Sequence, residues 1–262
     1  MWGGAIYYNK SAYPALVNAL STFCVSGDEN ASIIVATSYI SGMGEVGVSN
    51  PYYTLPVASP PALEPFTKVQ PQIGTNTLRT DSLLGFAREQ EAFATKGARQ
   101  WFFTTSFRVD MQFMLDIHPL WLAAVAKVEA APGLMFSLVF QPVTQGLITQ
   151  SLARGPNSLG LEVSDGPFVV CLINTVHANP SDDDLVSATV LDLLQLIDAL
   201  AAARELGTKY RFLNYGYETQ KILEGYGEAS IEHLKAVSKK YDPSGFFQTM
   251  VPGGFKISKV DI

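Results

Sequence analysis

Cysteine is scarce. The 262 residues hold two, Cys24 and Cys171, too few for the disulfide framework of a small secreted domain. Cys24 falls in a helical pattern and Cys171 in an apolar strand pattern, so both read as reduced core residues. Charge is also sparse: charged residues make up 16%, with 18 basic against 24 acidic side chains and a net charge of −6. That balance argues against nucleic acid and anionic membrane as partners, because both attract basic surface. No apolar run reaches the roughly 18 residues of a membrane-span candidate, so no transmembrane helix is expected. The start, Met1-Trp2-Gly3-Gly4-Ala5-Ile6-Tyr7-Tyr8, lacks a basic stretch followed by an apolar one. No secretory signal is read there, and a cytoplasmic location is expected. His118, His177 and His233 have no metal-ligand spacing, so no metal is expected. Neither a G-x-S-x-G elbow nor a P-loop occurs.

What is present is a globular composition, 47% apolar, in a chain long enough to bury roughly 70–75% of its unfolded surface. It reads as a single domain over residues 1–262, with 241–262 as an irregular carboxy-terminal tail. Ala5–Tyr8 is a short aromatic strand. Ser11 is placed to cap a helix reaching Phe23. Ala31–Ile40 is a β-branched strand joined through a glycine-rich turn to Tyr52–Ala58. Within that turn, residues 42–47 loosely match G-x-G-x-x-G, but no helix pattern follows, so no phosphate site is read there. The proline-rich segment from Pro56 to Pro71 is apolar and should pack against the domain. Leu78–Ala94 is expected as a helix with Leu83, Leu84, Phe86 and Ala87 inward.

Trp101–Arg108 reads as a strand with Trp101, Phe103, Thr105 and Phe107 on one face and Phe102, Thr104, Ser106 and Arg108 on the other. A helix over Met111–Ala130, a strand over Leu134–Gln141 and a short helix over Thr144–Leu152 follow. Phe168–Val176 is the next strand, and Asp182-Asp183-Asp184 reads as the solvated start of a helix to Leu206. Tyr210–Tyr215 is expected as a last strand and Glu228–Lys240 as an amphipathic helix stopped by Asp242-Pro243. Many connections are short, so the fold class is α+β: an antiparallel sheet with helices packed on one face.

Chemistry is concentrated in few places. The stretch Tyr210 to Tyr217 puts two phenols and an amide at the rim of a strand, where a tyrosine serves as proton-transfer group or as hydrogen-bond donor to a developing oxyanion. The alternative is amphipathic packing with a wet hydroxyl. His177 follows a buried-looking strand and is a candidate, whereas His118 and His233 read as bland. Asn174 interrupts an apolar strand with a group that needs a partner, and Arg108 ends the more polar face of its own strand.

Several segments resemble a known family. Phe212-Leu213-Asn214-Tyr215, Tyr226-Gly227, Leu234, Tyr241-Asp242-Pro243, Phe246-Phe247-Gln248 and Val251-Pro252-Gly253-Gly254-Phe255-Lys256 are similar, in order and spacing, to the carboxy-terminal end of the FAD-linked oxidases. These are the berberine-bridge-enzyme-like, PCMH-type flavoproteins of fungal secondary metabolism. Trp2-Gly3-Gly4 through Tyr8, Pro60-Pro61-Ala62-Leu63 and Asn157-Ser158-Leu159-Gly160-Leu161 resemble the same family's substrate half, and no segment resembles its FAD-binding half.

The resemblance implies an antiparallel sheet whose open face meets the flavin ring, with Tyr215 at the position of a catalytic base and Asn214 beside the flavin. Leu172 stands where some members carry an acidic residue, and Gly155-Pro156-Asn157 where Gly-Gly-Asn is usual. The expectation drawn is a cofactor-independent, redox-neutral cyclase, pericyclase or isomerase acting on a hydrophobic secondary-metabolite intermediate. Tyr215 is its catalytic residue; Arg108, Asn174, Leu172, His177, Asn214, Thr104 and Ser106 contact substrate. No cofactor is expected, and the apolar sheet face is to be covered by a bulky ligand or by a second copy in a homodimer. Two alternatives stay open: a non-catalytic carrier of a hydrophobic metabolite, and a fragment that needs a separate FAD domain for oxidase activity.

Overall fold

The computed structural model describes residues 1–92, 94, 96–153, 155 and 157–261. The departure noted at Pro156 and the expected helix residue Phe93 therefore lie outside the described residues. Eight strands, β1 (Trp2–Gly3), β2 (Ile6–Asn9), β3 (Ala31–Ile40), β4 (Gly44–Tyr53), β5 (Arg79–Thr80), β6 (Arg99–Arg108), β7 (Met135–Val143) and β8 (Phe168–His177), form one sheet. Its order is β5-β1-β4-β3-β7-β8-β6, with β2 added on β4, and every recorded pairing is antiparallel. The helices are α1 (Tyr13–Ser26), α2 (Glu64–Thr67), α3 (Leu83–Ala92), α4 (Met111–Val128), α5 (Gln145–Ala153), α6 (Asp183–Ala203), α7 (Glu228–Tyr241) and α8 (Phe246–Thr249).

Strand alternation sorts the side chains. Register places Phe103, Ile173 and Leu138 opposite one another, so they share a face. That face carries the main core, where they meet Leu16 and Leu20 of α1, Ile117 and Trp121 of α4, and Val190 and Ile197 of α6. The same pairing puts Thr104, Leu172 and Val139 together on the opposite face. One end of that second face is covered by a separate cluster, in which Phe168 and Val170 pack with Ile148, Tyr210, Tyr226 and Ile231. Helices α1, α4 and α6 thus cover one face, and α5 with the carboxy-terminal segment, α7 included, closes one end of the other, so the helices are not confined to the one face expected. Beyond that cover, Ile34, Ala36, Val48 and Val139 stay half-buried.

Several local expectations change. Residues 210–215 are not a strand; Leu213–Tyr215 is a turn of 3₁₀ helix. Edge strand β6 leaves no room for a full partner there, because after a single bridge at Phe107–Gly207 the Gln220 side chain occupies the edge. It accepts from Thr104 N (3.0 Å) and donates to Thr104 O (2.8 Å).

Helix α3 begins at Leu83 rather than Leu78, because Arg79 and Thr80 join β1 and the Ser82 hydroxyl accepts from Gly85 N. Its inward residue is Phe86, whereas Leu83 and Leu84 are 72% and 59% exposed. Ser11 does not cap α1, which starts after Ala12 with no side-chain cap; Asn9 caps the 3₁₀ turn before it, accepting from Ser11 N. One helical stretch, Pro180–Ala203, is long and apolar enough to match a membrane span, contrary to the expectation from run length. Its buried side chains, Val186, Val190, Leu193 and Ile197 among them, belong to the main core. Cys24 and Cys171 are free and buried, as read.

Candidate active site on the open face of the sheet

The second sheet face gathers most of the expected site residues. Phe102 and Asn174, Thr104 and Leu172, Ser106 and Val170, and Arg108 and Phe168 are paired neighbours on β6 and β8, and Gln141 of β7 lies opposite Val170. Tyr215 crosses above β8 from one side to the other. Its ring meets Phe102 edge-on (5.8 Å between centroids), and its hydroxyl donates to Gln141 Oε1 at 3.1 Å. Phe212 meets the same ring edge-on at 4.8 Å. Burial raises the Tyr215 phenol above its ordinary value, with no charged neighbour opposing it. The group is therefore a neutral phenol at pH 7.

Asn174 is half-buried, and its Oδ1 lacks a partner. The Thr104 and Ser106 hydroxyls are buried and likewise unpartnered. Arg108 sits at the far end of this face, where its Nη1 donates to Asp165 O at 3.0 Å beside a cavity of about 390 Å³ with Tyr210 and Tyr226 in its wall. Leu172 is buried in the face.

Two expected residues lie elsewhere. His177 is on the helix side of the sheet, fully buried, with Nε2 2.9 Å from Asp183 Oδ1 and its ring edge-on to Trp101. Odd-numbered β8 residues face the helices, and the last of them cannot reach the open face. Asp183, read as a solvated helix start, instead pairs with both His177 and Arg99. Asn214 is exposed on the 3₁₀ turn, one residue from Tyr215, and not at the end of a strand as expected.

Sequence reasoning missed Gln141 and Gln220. Gln141 was detectable as a polar residue in register with Ser137 on one face of β7, whereas Gln220, in an irregular loop, gave no periodic signal. It also treated His118 as bland. His118 Nε2 is 2.7 Å from Glu45 Oε1, with its ring stacked on Tyr13 and Trp121, but that pair lies on the helix side of the sheet. Among the described residues no cluster of three or more His, Cys, Asp or Glu is arranged to hold a metal.

No protein-family model matches the chain. The FAD-dependent monooxygenase drtC of Aspergillus calidoustus is 30% identical over 269 residues, covering 100% of this chain and 50% of that protein. The bifunctional solanapyrone synthase of Alternaria solani is 27% identical over 259 residues, 98% of this chain and 49% of its own length. Among solved structures, 6-hydroxy-D-nicotine oxidase from Arthrobacter nicotinovorans shares the fold with a TM-score of 0.63 at 14% identity, covering 95% of this chain and 53% of that one. Aclacinomycin oxidoreductase does so with a TM-score of 0.62 at 12% identity, covering 94% and 54%. The chain matches the carboxy-terminal half of the FAD-linked, berberine-bridge-like oxidoreductases.

It spans about half the length of the curated relatives it matches. The open face carries a partly exposed apolar strip of Ala36 and Val139 and the unpartnered Asn174 Oδ1. Several of these relatives are named as FAD-dependent monooxygenases.

Proposed function

We propose that the open sheet face is the substrate wall of an enzyme of fungal natural-product biosynthesis, and that it promotes redox-neutral ring closure or isomerisation of a hydrophobic, carbonyl-bearing intermediate. The observation that carries this reading is Tyr215: a neutral phenol whose ionisation burial makes harder still, its ring edge-on to Phe102 on the open face. A neutral phenol suits hydrogen-bond donation better than proton abstraction. Donation to the carbonyl of an enone or quinone methide draws negative charge onto oxygen and makes the conjugated carbon electrophilic toward an internal nucleophile. The proton lost by that nucleophile ends on the α-carbon of an enone or on the phenol oxygen formed from a quinone methide, so no oxidant is consumed. Packing of the substrate along Leu172 and Val139 holds a folded conformer, which alone supplies several kcal/mol in well-oriented reactions. The relatives support a biosynthetic setting, a solanapyrone synthase among them.

A second reading is favoured by the unpartnered Asn174 Oδ1, an acceptor awaiting a donor. FAD, when bound against this face, supplies electron acceptance, and Asn174 and Leu172 would then face it. In both readings Tyr215 and Asn174 orient the substrate, and the half-buried apolar strip excludes water from it.

The deciding experiment compares wild type and Tyr215→Phe on pathway intermediates, with and without added FAD, following rate and product stereochemistry. Loss of the donor should slow the flavin-free reaction roughly tenfold to a thousandfold, about 1–4 kcal/mol. Turnover that appears with FAD alone selects the oxidase reading. Tight substrate binding without acceleration under either condition leaves a carrier.

A further inference from the structure

Tyr215 has a single hydroxyl hydrogen, and in the structure it is spent on Gln141 Oε1. In that arrangement the phenol oxygen can only accept, whereas a substrate carbonyl needs a donor. The ring cannot move aside to resolve this, since Phe102 and Phe212 hold it edge-on from two directions and the 3₁₀ turn fixes its backbone. Gln141 is anchored too, on β7 opposite Val170 of β8 and one residue past the end of the β3 pairing. Its carboxamide end is free to turn: among the described residues its Nε2 makes no hydrogen bond within the chain, and its Oε1 accepts only from Tyr215. The oxygen and NH₂ of an amide are nearly equal in size, so a half turn exchanges acceptor for donor without repacking.

We propose that Gln141 is a positioning residue that sets the hydrogen-bond polarity of Tyr215, its carboxamide turning so that Nε2 donates to the phenol oxygen and the phenol hydrogen is released to the substrate carbonyl. The inference rests on the reading of Tyr215 as the substrate-facing donor. It adds a specificity rule to that reading. With the amide as seen, the site pairs with a substrate hydroxyl that donates to the phenol oxygen; with the amide turned, it pairs with a carbonyl. Only a side chain with both functions on one terminus serves both, which distinguishes Gln141 from the glutamate or leucine that would fit the same space.

The test uses the full chain with 3,5-difluorotyrosine in place of Tyr215, a phenol that ionises near neutrality and is read alone by fluorine NMR. A turning amide follows ionisation by presenting Nε2 to the phenolate and so stabilises it. Gln141→Leu should therefore raise the phenol's titration midpoint, by roughly half a unit to one unit. An amide fixed as an acceptor stabilises only the neutral phenol, and Gln141→Leu would then lower the midpoint or leave it unchanged, which overturns the proposal. Gln141→Glu, able only to accept and negatively charged, should raise the midpoint further; no change there also overturns it, because the two groups would not be in contact. Gln141→Met keeps the chain length and repeats the Leu test should branching disturb the sheet. If these shifts occur while Tyr215→Phe leaves catalysis intact, the pairing stands and the functional reading of Tyr215 fails instead.

Discussion

At Tyr215 the residue type announced a phenol, neutral at pH 7 on its own, but its surroundings decide what the phenol does: burial pushes its ionisation further up and Gln141 claims its hydrogen. The same dependence on surroundings governs Glu45. Burial by itself would raise its carboxyl, but the His118 hydrogen bond and charge, the Thr37 hydrogen bond and the Lys10 charge outweigh burial and hold it below the ordinary value. A depressed carboxylate contributes stability that is complete above the unfolded value of about 4.3 and is lost as pH falls through the lower folded value. Urea unfolding midpoints of wild type and Glu45→Gln should therefore differ most near neutrality and converge as pH drops below about 4. Gly160 makes a different residue-scale claim. Its φ is +68°, and a Cβ there would lie 1.9 Å from Tyr226 O. Gly160→Ala should lower stability by about 1–3 kcal/mol or more, read as a reduced Tm, because neither the backbone nor the Tyr226 carbonyl can yield cheaply.

Elements show where periodicity sufficed and where it misled. The alternation of Trp101–Arg108 assigned both faces of β6 correctly, since a strand within a sheet has no freedom to rotate its side chains to another side. A short helix has that freedom. In α3 the apolar pairs at 83–84 and 86–87 fit more than one inward direction, and contact with Tyr52 and Arg79 selected Phe86. Phe86→Ala should cost about 3–5 kcal/mol, whereas Leu83→Asp should stay within about 0.5 kcal/mol, both measured by chemical denaturation. The 210–215 segment looked like a strand because its aromatics suit one, yet strand formation needs a free edge. Gln220 holds that edge at Thr104, and Arg211 donates to Thr208 O and Tyr210 O and pairs with Asp198. Gln220→Ala should free the edge of β6, seen as faster amide exchange at Thr104 while protection in β7 and β8 is unchanged.

At the scale of the molecule, two cores share one sheet. The helix-side core joins the sheet to α1, α4 and α6, and the smaller one joins the carboxy-terminal third to the opposite face. Val260, near the end of the described chain, is buried in the smaller core, and Lys235 Nζ donates to its carbonyl at 2.7 Å. Removing residues 242–262 should lower Tm and speed amide exchange in 210–226, with little effect on the central strands. Loss of protection throughout the sheet would instead show that the two cores unfold as one.

The sequence alone determined the antiparallel α+β class, the strand faces of β6, the reduced cysteines and the family resemblance, because each rests on local periodicity, composition or ordered motifs. It also brought Tyr215, Leu172, Asn174, Thr104 and Ser106 forward as candidates, and these do share one face. Tertiary structure decided the rest. His177 left the candidate site because its position in β8 points it at the helices, and Asp183 meets it there. Gln141 and Gln220 entered because their partners lie 74 and 116 residues away in the chain. Hydrogen bonds over such distances leave no pattern in neighbouring residues; only the packing of the sheet brings their ends together.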